Sequence, residues 1–106
     1  LTLSANQDNQ NGQFLLGKIY YEGKYISRDI KEAIHYLTLS ANQNNPSAQF
    51  LLGFIYHQGI HVPRNTNKAI KYLELSANQN NSVAQCLLAL IYYNAILKPK
   101  NINKAM

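Results

Sequence analysis

The sequence predicts an all-α fold assembled from stacked helical repeats, and three observations carry that prediction. The stretch from Ala48 to Tyr56 (Ala-Gln-Phe-Leu-Leu-Gly-Phe-Ile-Tyr) has a near-copy 36 residues earlier, from Gly12 to Tyr20, and another 36 residues later, from Ala84 to Tyr92. Ser40-Ala41-Asn42-Gln43 recurs on the same spacing as Ser4-Ala5-Asn6-Gln7 and as Ser76-Ala77-Asn78-Gln79. A fixed period of this size marks a repeat array, in which each unit buries its apolar face against its neighbours. Within each period, apolar residues at helical spacing alternate with Gly, Pro and Asn punctuation, as in short amphipathic helices joined by turns.

The central unit shows the plan. Asn45 suits an N-cap and Pro46 the first helical position, where its missing N–H needs no partner. From Ser47 to about Gln58 the residues Ala48, Leu51, Leu52, Ile55 and Tyr56 share a helical face, and Gly59 suits a left-handed C-cap. Pro63 keeps the connection from Ile60 to Arg64 non-helical. A second helix then runs from about Asn65 to Asn78 with Ala69, Ile70, Leu73 and Ala77 on one face. Neither helix is long enough to be stable alone, so the core has to come from stacking.

The first unit repeats this plan, with Asp29 and Glu32 spaced as a capping box ahead of Ala33, Ile34 and Leu37. In the third unit, Ala89 replaces the interior glycine and Ala95 the terminal one, so a looser third turn is expected before Lys98-Pro99-Lys100 and a short last helix. The in-phase Gly17 and Gly53 each sacrifice about 1 kcal/mol of helix propensity relative to alanine, which implies that another helix passes close by. Tyr20, Tyr56 and Tyr92 are expected to pack between the two helices of their own units, with their hydroxyls reaching a turn. The whole chain should contain about six helices, with turns at 8–11, 23–28, 43–46, 59–64, 79–82 and 95–100.

Composition narrows the function classes. The 106 residues suit one structural unit, and 46% apolar against 14% charged residues fits a globular chain. The net charge of +5 is spread over dispersed lysines rather than gathered into the basic stripe of a nucleic-acid binder. No apolar run is long enough to span a membrane. Cys86 is the single cysteine, expected as a buried thiol, so no internal disulfide is available. The Asn/Gln-rich pieces recur in phase and read as turns.

The unit Ala-x3-Leu-Gly-x2-Tyr-x2-Gly, followed by Asp29-x2-Glu32-Ala33 in the first copy, resembles the Sel-one-like repeat, a branch of the tetratricopeptide-like helical repeats. The 36-residue period and the long step from Gly59 to Ala69 favour that branch over the plain 34-residue unit. The resemblance covers the chain as a single array over 1–106, with units at about 4–39, 40–75 and 76–106. It implies a right-handed α-solenoid of stacked antiparallel helix pairs with a concave groove, and a non-catalytic scaffold or adaptor that holds a protein or peptide partner. The paired cysteines of disulfide-rich members are missing here.

If the first helix of each unit lines that groove, its face carries Asn11, Phe14, Lys18 and Tyr21, then Ser47, Phe50, Phe54 and His57, then Val83, Cys86, Leu90 and Tyr93. The candidate partner-binding residues are Phe14, Lys18, Tyr21, Phe50, Phe54, His57, Leu90 and Tyr93. Phe14, Phe50 and Cys86 fit a core position equally well. A face of this apolar and aromatic character suits a peptide anchored by a few side chains, with Phe54, His57, Tyr21 and Tyr93 mattering more than any lysine.

Other chemistries find no support in the residue pattern. His57 and His61 are four apart, but Gly59 separates them and no carboxylate or cysteine is near in sequence, so no metal site is expected. The five carboxylates are not paired for acid–base work, there is no glycine-rich phosphate loop, and neither catalysis nor a cofactor is expected. Asn80-Asn81-Ser82 matches a glycosylation sequon that only a secreted protein would use. The alternative to a binding scaffold is a structural spacer in a larger protein. Leu1-Thr2-Leu3-Ser4-Ala5 matches Leu37-Thr38-Leu39-Ser40-Ala41, so the chain reads as a fragment of a longer array. Its ends lack polar caps, Leu88, Ile91 and Tyr92 are expected to be uncovered, and end-to-end self-association is expected.

Overall fold

The structure, a computed structural model, describes the backbone of residues 10–24 and 26–105, and side chains as far as residue 96. Five helices follow one another: α1 (Gln10–Glu22), α2 (Ile30–Ala41), α3 (Pro46–Gln58), α4 (Thr66–Ala77) and α5 (Ser82–Ala105). No strand occurs among the described residues. The first-helix starts Gln10, Pro46 and Ser82 keep the period seen in the sequence. Of the expected turn at 8–11, Gln10 and Asn11 are instead helical, in phase with Pro46 and Ser47. Residues 1–9, which carry the expectations about the first end of the chain, lie outside the described residues.

The starts of α2 to α5 each have a side-chain cap. Asn45 Oδ1 accepts from the Ala48 amide at 3.0 Å, Asn65 Oδ1 from Lys68 at 3.0 Å, and Asn81 Oδ1 from Val83 at 3.0 Å. Asp29 accepts from the Glu32 amide at 3.1 Å, but only this half of the expected capping box is recorded. The Asp29 amide instead donates to the Tyr20 carbonyl at 3.1 Å, as the Asn65 amide does to Tyr56 at 3.0 Å, which removes the need for Glu32 to reach back. Asn44 and Asn80 sit at φ 68° and 69°, a left-handed conformation that asparagine tolerates better than most residues.

Gly23 and Gly59 end α1 and α3 at φ 67° and 66°. Ala95 occupies the corresponding place in α5, and no turn forms there: α5 continues through 95–100 to Ala105. The expected third turn and separate last helix are thus replaced by one continuous helix. Alanine favours helix and resists positive φ, so the terminating signal is missing, and Pro99 removes an amide donor without ending the element.

The helices pair antiparallel within a unit, since contacts step down one helix as they step up the other. Ideal Cβ atoms built on Gly17 and Gly53 would lie 2.7 Å and 2.6 Å from the Cγ atoms of Leu37 and Leu73, confirming the close approach that the glycines implied. Tyr20 stacks on Tyr36 at 6.1 Å and Tyr56 on Tyr72 at 6.5 Å, each between the helices of its own unit. Tyr92 departs from that expectation. It is exposed, and its hydroxyl donates to Glu74 on the preceding α4 at 3.0 Å, because α5 has no partner helix of its own among the described residues.

Two core clusters result. Leu37, Ala41, Ala48, Leu52 and Ile55 form one, and Leu73, Ala84 and Ile91 the other. Ile91 is buried by α4, against the expectation that it would be uncovered, while Leu88 is half-buried. Polar side chains thread between these clusters. Ser40 and Ser76, fully buried, donate to the carbonyls of Gln10 at 2.6 Å and Pro46 at 2.7 Å. Gln43 donates to Gln13 Oε1 at 2.6 Å, and Gln79 to Gln49 Oε1 at 2.9 Å. The unit-to-unit link is Gln49, which donates to the Ala41 carbonyl at 3.2 Å, and Gln85 repeats it toward Ala77 at 3.1 Å.

Candidate functional site

α1, α3 and α5 occupy the same place in successive units, and α5 docks mainly on α4. Shallow recesses are left along this first-helix face. One, of about 310 Å³, is lined by Phe14 and Lys18 of α1, Ser47, Phe50 and Leu51 of α3, and Asn81 and Val83 at the start of α5. The next, of about 290 Å³, is lined by Phe50, Phe54, Val83, Cys86, Leu87 and Leu90. Phe50 and Val83 border both, so the two recesses form one apolar furrow crossing three helices.

The local reason is periodicity. Phe50, Phe54, Cys86 and Leu90 fall at spacings that place each pair on one helical face, and the Phe50 and Phe54 rings lie 6.0 Å apart and nearly parallel. Phe50 is half-buried against Leu73, Ala84 and Ile91 because α5 flanks it. Cys86 stands at the same repeat position but is exposed, correcting the expectation of a buried thiol, since no further first helix flanks α5 among the described residues. Val83 at 56% and Leu90 at 52% exposure leave the furrow floor open to solvent.

Of the eight candidate residues, the fold brings together Phe14, Lys18, Phe50, Phe54 and Leu90. The other three stand apart. Tyr21 packs against the first core cluster and meets the His61 ring edge-on at 5.8 Å. Tyr93 is 59% exposed and lines none of the three recesses. His57 borders a separate, more polar recess of about 410 Å³, shared with Arg64, Thr66, Ile91, Asn94 and Ala95. Burial first, and the nearby Arg64 charge second, push the His57 pKa below its ordinary value.

Sequence reasoning set Val83 on the first-helix face without naming it a binding candidate, and it missed Leu51 and Leu87 as furrow residues and Arg64 as a recess residue. The signal that set Val83 apart was an apolar residue at a helix start, in phase with the polar Ser47. Elsewhere the cationic side chains are dispersed, and Lys68 and Lys71 lie over the Tyr56 and Tyr72 rings at 5.1 Å and 5.5 Å. Among the described residues no group of three His, Cys, Asp or Glu side chains is placed to hold a metal ion, and no helix is long and apolar enough to cross a membrane.

The Sel1 repeat family model matches residues 10–45, 46–81 and 82–106, with boundaries that coincide with the first-helix starts. Among solved structures, one is described as a protective antigen present in uropathogenic Escherichia coli strains and displaying an SLR fold. It is 36% identical with a TM-score of 0.79, over 84% of this chain and 19% of that one. A Sel1 repeat protein from Oxalobacter formigenes is 36% identical with a TM-score of 0.77, over 82% of this chain and 25% of that one. The chain thus spans a quarter or less of the length of either protein. Among curated proteins, none matches the chain.

Proposed function

Because this chain belongs to the Sel1 repeat family, whose repeats are in general non-catalytic scaffolds for protein–protein interaction, we propose that its apolar furrow is a docking site for a protein segment. The observation that carries the reading is the run of Phe14, Phe50, Phe54, Val83 and Leu90 across three helices, bordered among the described residues by one cation, Lys18. A spacer has no need to leave such side chains open to water, where apolar surface is unfavourable. Apolar anchors separated by a helical turn on a rigid face suit a segment that buries a few large side chains, rather than one read by charge.

Selection of displayed peptides against the chain tests this. Peptides carrying two or more large apolar side chains should be enriched, and the double substitution Phe54→Ser with Leu90→Ser should abolish their capture while helicity stays unchanged. Capture that survives the double substitution, or that disappears with moderate salt alone, would place binding elsewhere.

A further inference from the structure

The polar recess at the C-terminal end of α3 has a composition the furrow does not. His57 projects from α3, Arg64 and Thr66 stand at the entry to α4, and Asn94 comes from α5. All four side chains can donate hydrogen bonds, two are or can become cationic, and no carboxylate lines the recess.

A comparison between the two units sharpens the point. Arg28 and Arg64 occupy the same repeat position, and Arg28 is committed to its own fold: its Nε donates to the Tyr21 carbonyl at 2.9 Å and its Nη2 to the Glu22 carbonyl at 3.5 Å, at the end of α1. Arg64 makes no such bond and forms no ion pair among the described residues. Tyr21, in phase with His57, is covered by the His61 ring, whereas His57 faces the open recess. Glu74, on the adjacent α4, accepts from the Tyr92 hydroxyl and does not line the recess. An arginine and a histidine lining one recess, with no carboxylate among the lining residues, leave room for an anion supplied from outside.

We propose that this recess receives the side-chain carboxylate of an aspartate or glutamate in the segment docked along the furrow, with Arg64 as its principal partner and His57, Thr66 and Asn94 as additional donors. The planar guanidinium of Arg64 matches a carboxylate in a two-bond arrangement. Seven residues of α3 separate Phe50 from His57, about 10 Å along the axis, which an extended segment crosses in about three residues. The partner therefore carries an acidic residue about three positions from a large apolar anchor. This inference rests on the furrow reading and adds the chemistry of its partner.

The test titrates the 106-residue chain with two acetylated, amidated peptides, Phe-Ala-Ala-Glu-Ala and Phe-Ala-Ala-Gln-Ala. NMR follows the methyls of Val83, Leu87 and Leu90 together with the Arg64 Nε–H and the His57 imidazole. The glutamate peptide is expected to shift both groups of signals and to bind about tenfold more tightly than the glutamine peptide. Arg64→Gln should erase that preference, Arg64→Lys should restore part of it, and Arg28→Gln should leave it intact. Equal affinities, with shifts confined to the furrow methyls, would overturn the carboxylate assignment and leave the furrow reading standing. The absence of shifts at both places would overturn both. Inorganic phosphate shifting Arg64 and His57 where the glutamate peptide does not would also overturn the assignment.

Discussion

Gln79 donates its amide to Gln49 Oε1 at 2.9 Å, while Gln49, only 1% exposed, donates its own to the Ala41 carbonyl at 3.2 Å. One side chain thereby ties α3 both to the end of its own unit and to the end of the preceding helix pair. A buried amide costs little when its bonds are made and much when one is lost. The glutamines therefore fix the register between units as well as contributing to stability.

Gln49→Leu should destabilise the array by about 1–3 kcal/mol, because the buried Ala41 carbonyl loses its partner and the part-buried bond from Gln79 is lost as well. Gln85→Leu should cost less, since Gln85 is exposed and water replaces it. Urea midpoints of the two variants check the order. A double-substitution cycle of Gln49 with Gln79 should show a coupling of at least about 0.5 kcal/mol.

Gly53→Ala should destabilise despite gaining about 1 kcal/mol of helix propensity. The added carbon would lie 2.6 Å from Leu73 Cγ and 3.1 Å from the Ala69 carbonyl, and Leu73 is fully buried and cannot move aside cheaply. Gly53→Leu should cost several kcal/mol, while Lys71→Gln on the surface should cost less than about 0.5 kcal/mol. At the same repeat position of α5 the sign reverses: Ala89→Gly should destabilise through propensity alone, by about 1 kcal/mol, as Ala89 is exposed. Unfolding curves that rank Gly53→Ala as stabilising would contradict the close-approach account.

Much of this architecture was legible in the residues. The period, the caps at Asn45 and Asp29, the left-handed Gly59 and the tight sites at Gly17 and Gly53 each follow from one local rule applied in phase. What was not legible depended on partners distant along the chain. Gln43 and Gln79 read as turn punctuation and their partners Gln13 and Gln49 drew no reading, because a side chain that bonds 30 residues away leaves no local trace except its recurrence. The continuous α5 shows the opposite failure: a proline read as a stop did not stop a helix that lacked its terminal glycine. Within the candidate site, helical spacing placed Phe14, Phe50, Phe54 and Leu90 on one face. It could not show that the edge of that face diverges, sending Tyr21 against the core and His57 into another recess.

Stability should fall on mild acidification through His57. Its folded-state pKa lies below the ordinary 6.5, chiefly through burial and then through Arg64, so the unfolded chain takes up the proton first as pH drops. No penalty operates above about pH 6.5; it grows as pH falls from there toward the folded pKa and is constant below both. His57→Gln should flatten that part of the curve, checked as the difference in urea midpoint between the two proteins across pH 7.5 to 5 (about the range in which imidazole titrates). An unchanged difference across that range would contradict the assignment of the shift.

The central claim is that the first-helix face, and not the outer face, takes up a protein segment. Methyl chemical-shift mapping with a peptide obtained by selection measures it most directly. The account predicts saturable shifts at Val83, Leu87 and Leu90 and at Leu51, with the exposed Leu75 of α4 and Ile60 of the connecting loop unmoved. Shifts centred on Leu75 or Ile60, with the Val83, Leu87 and Leu90 methyls silent, would contradict it.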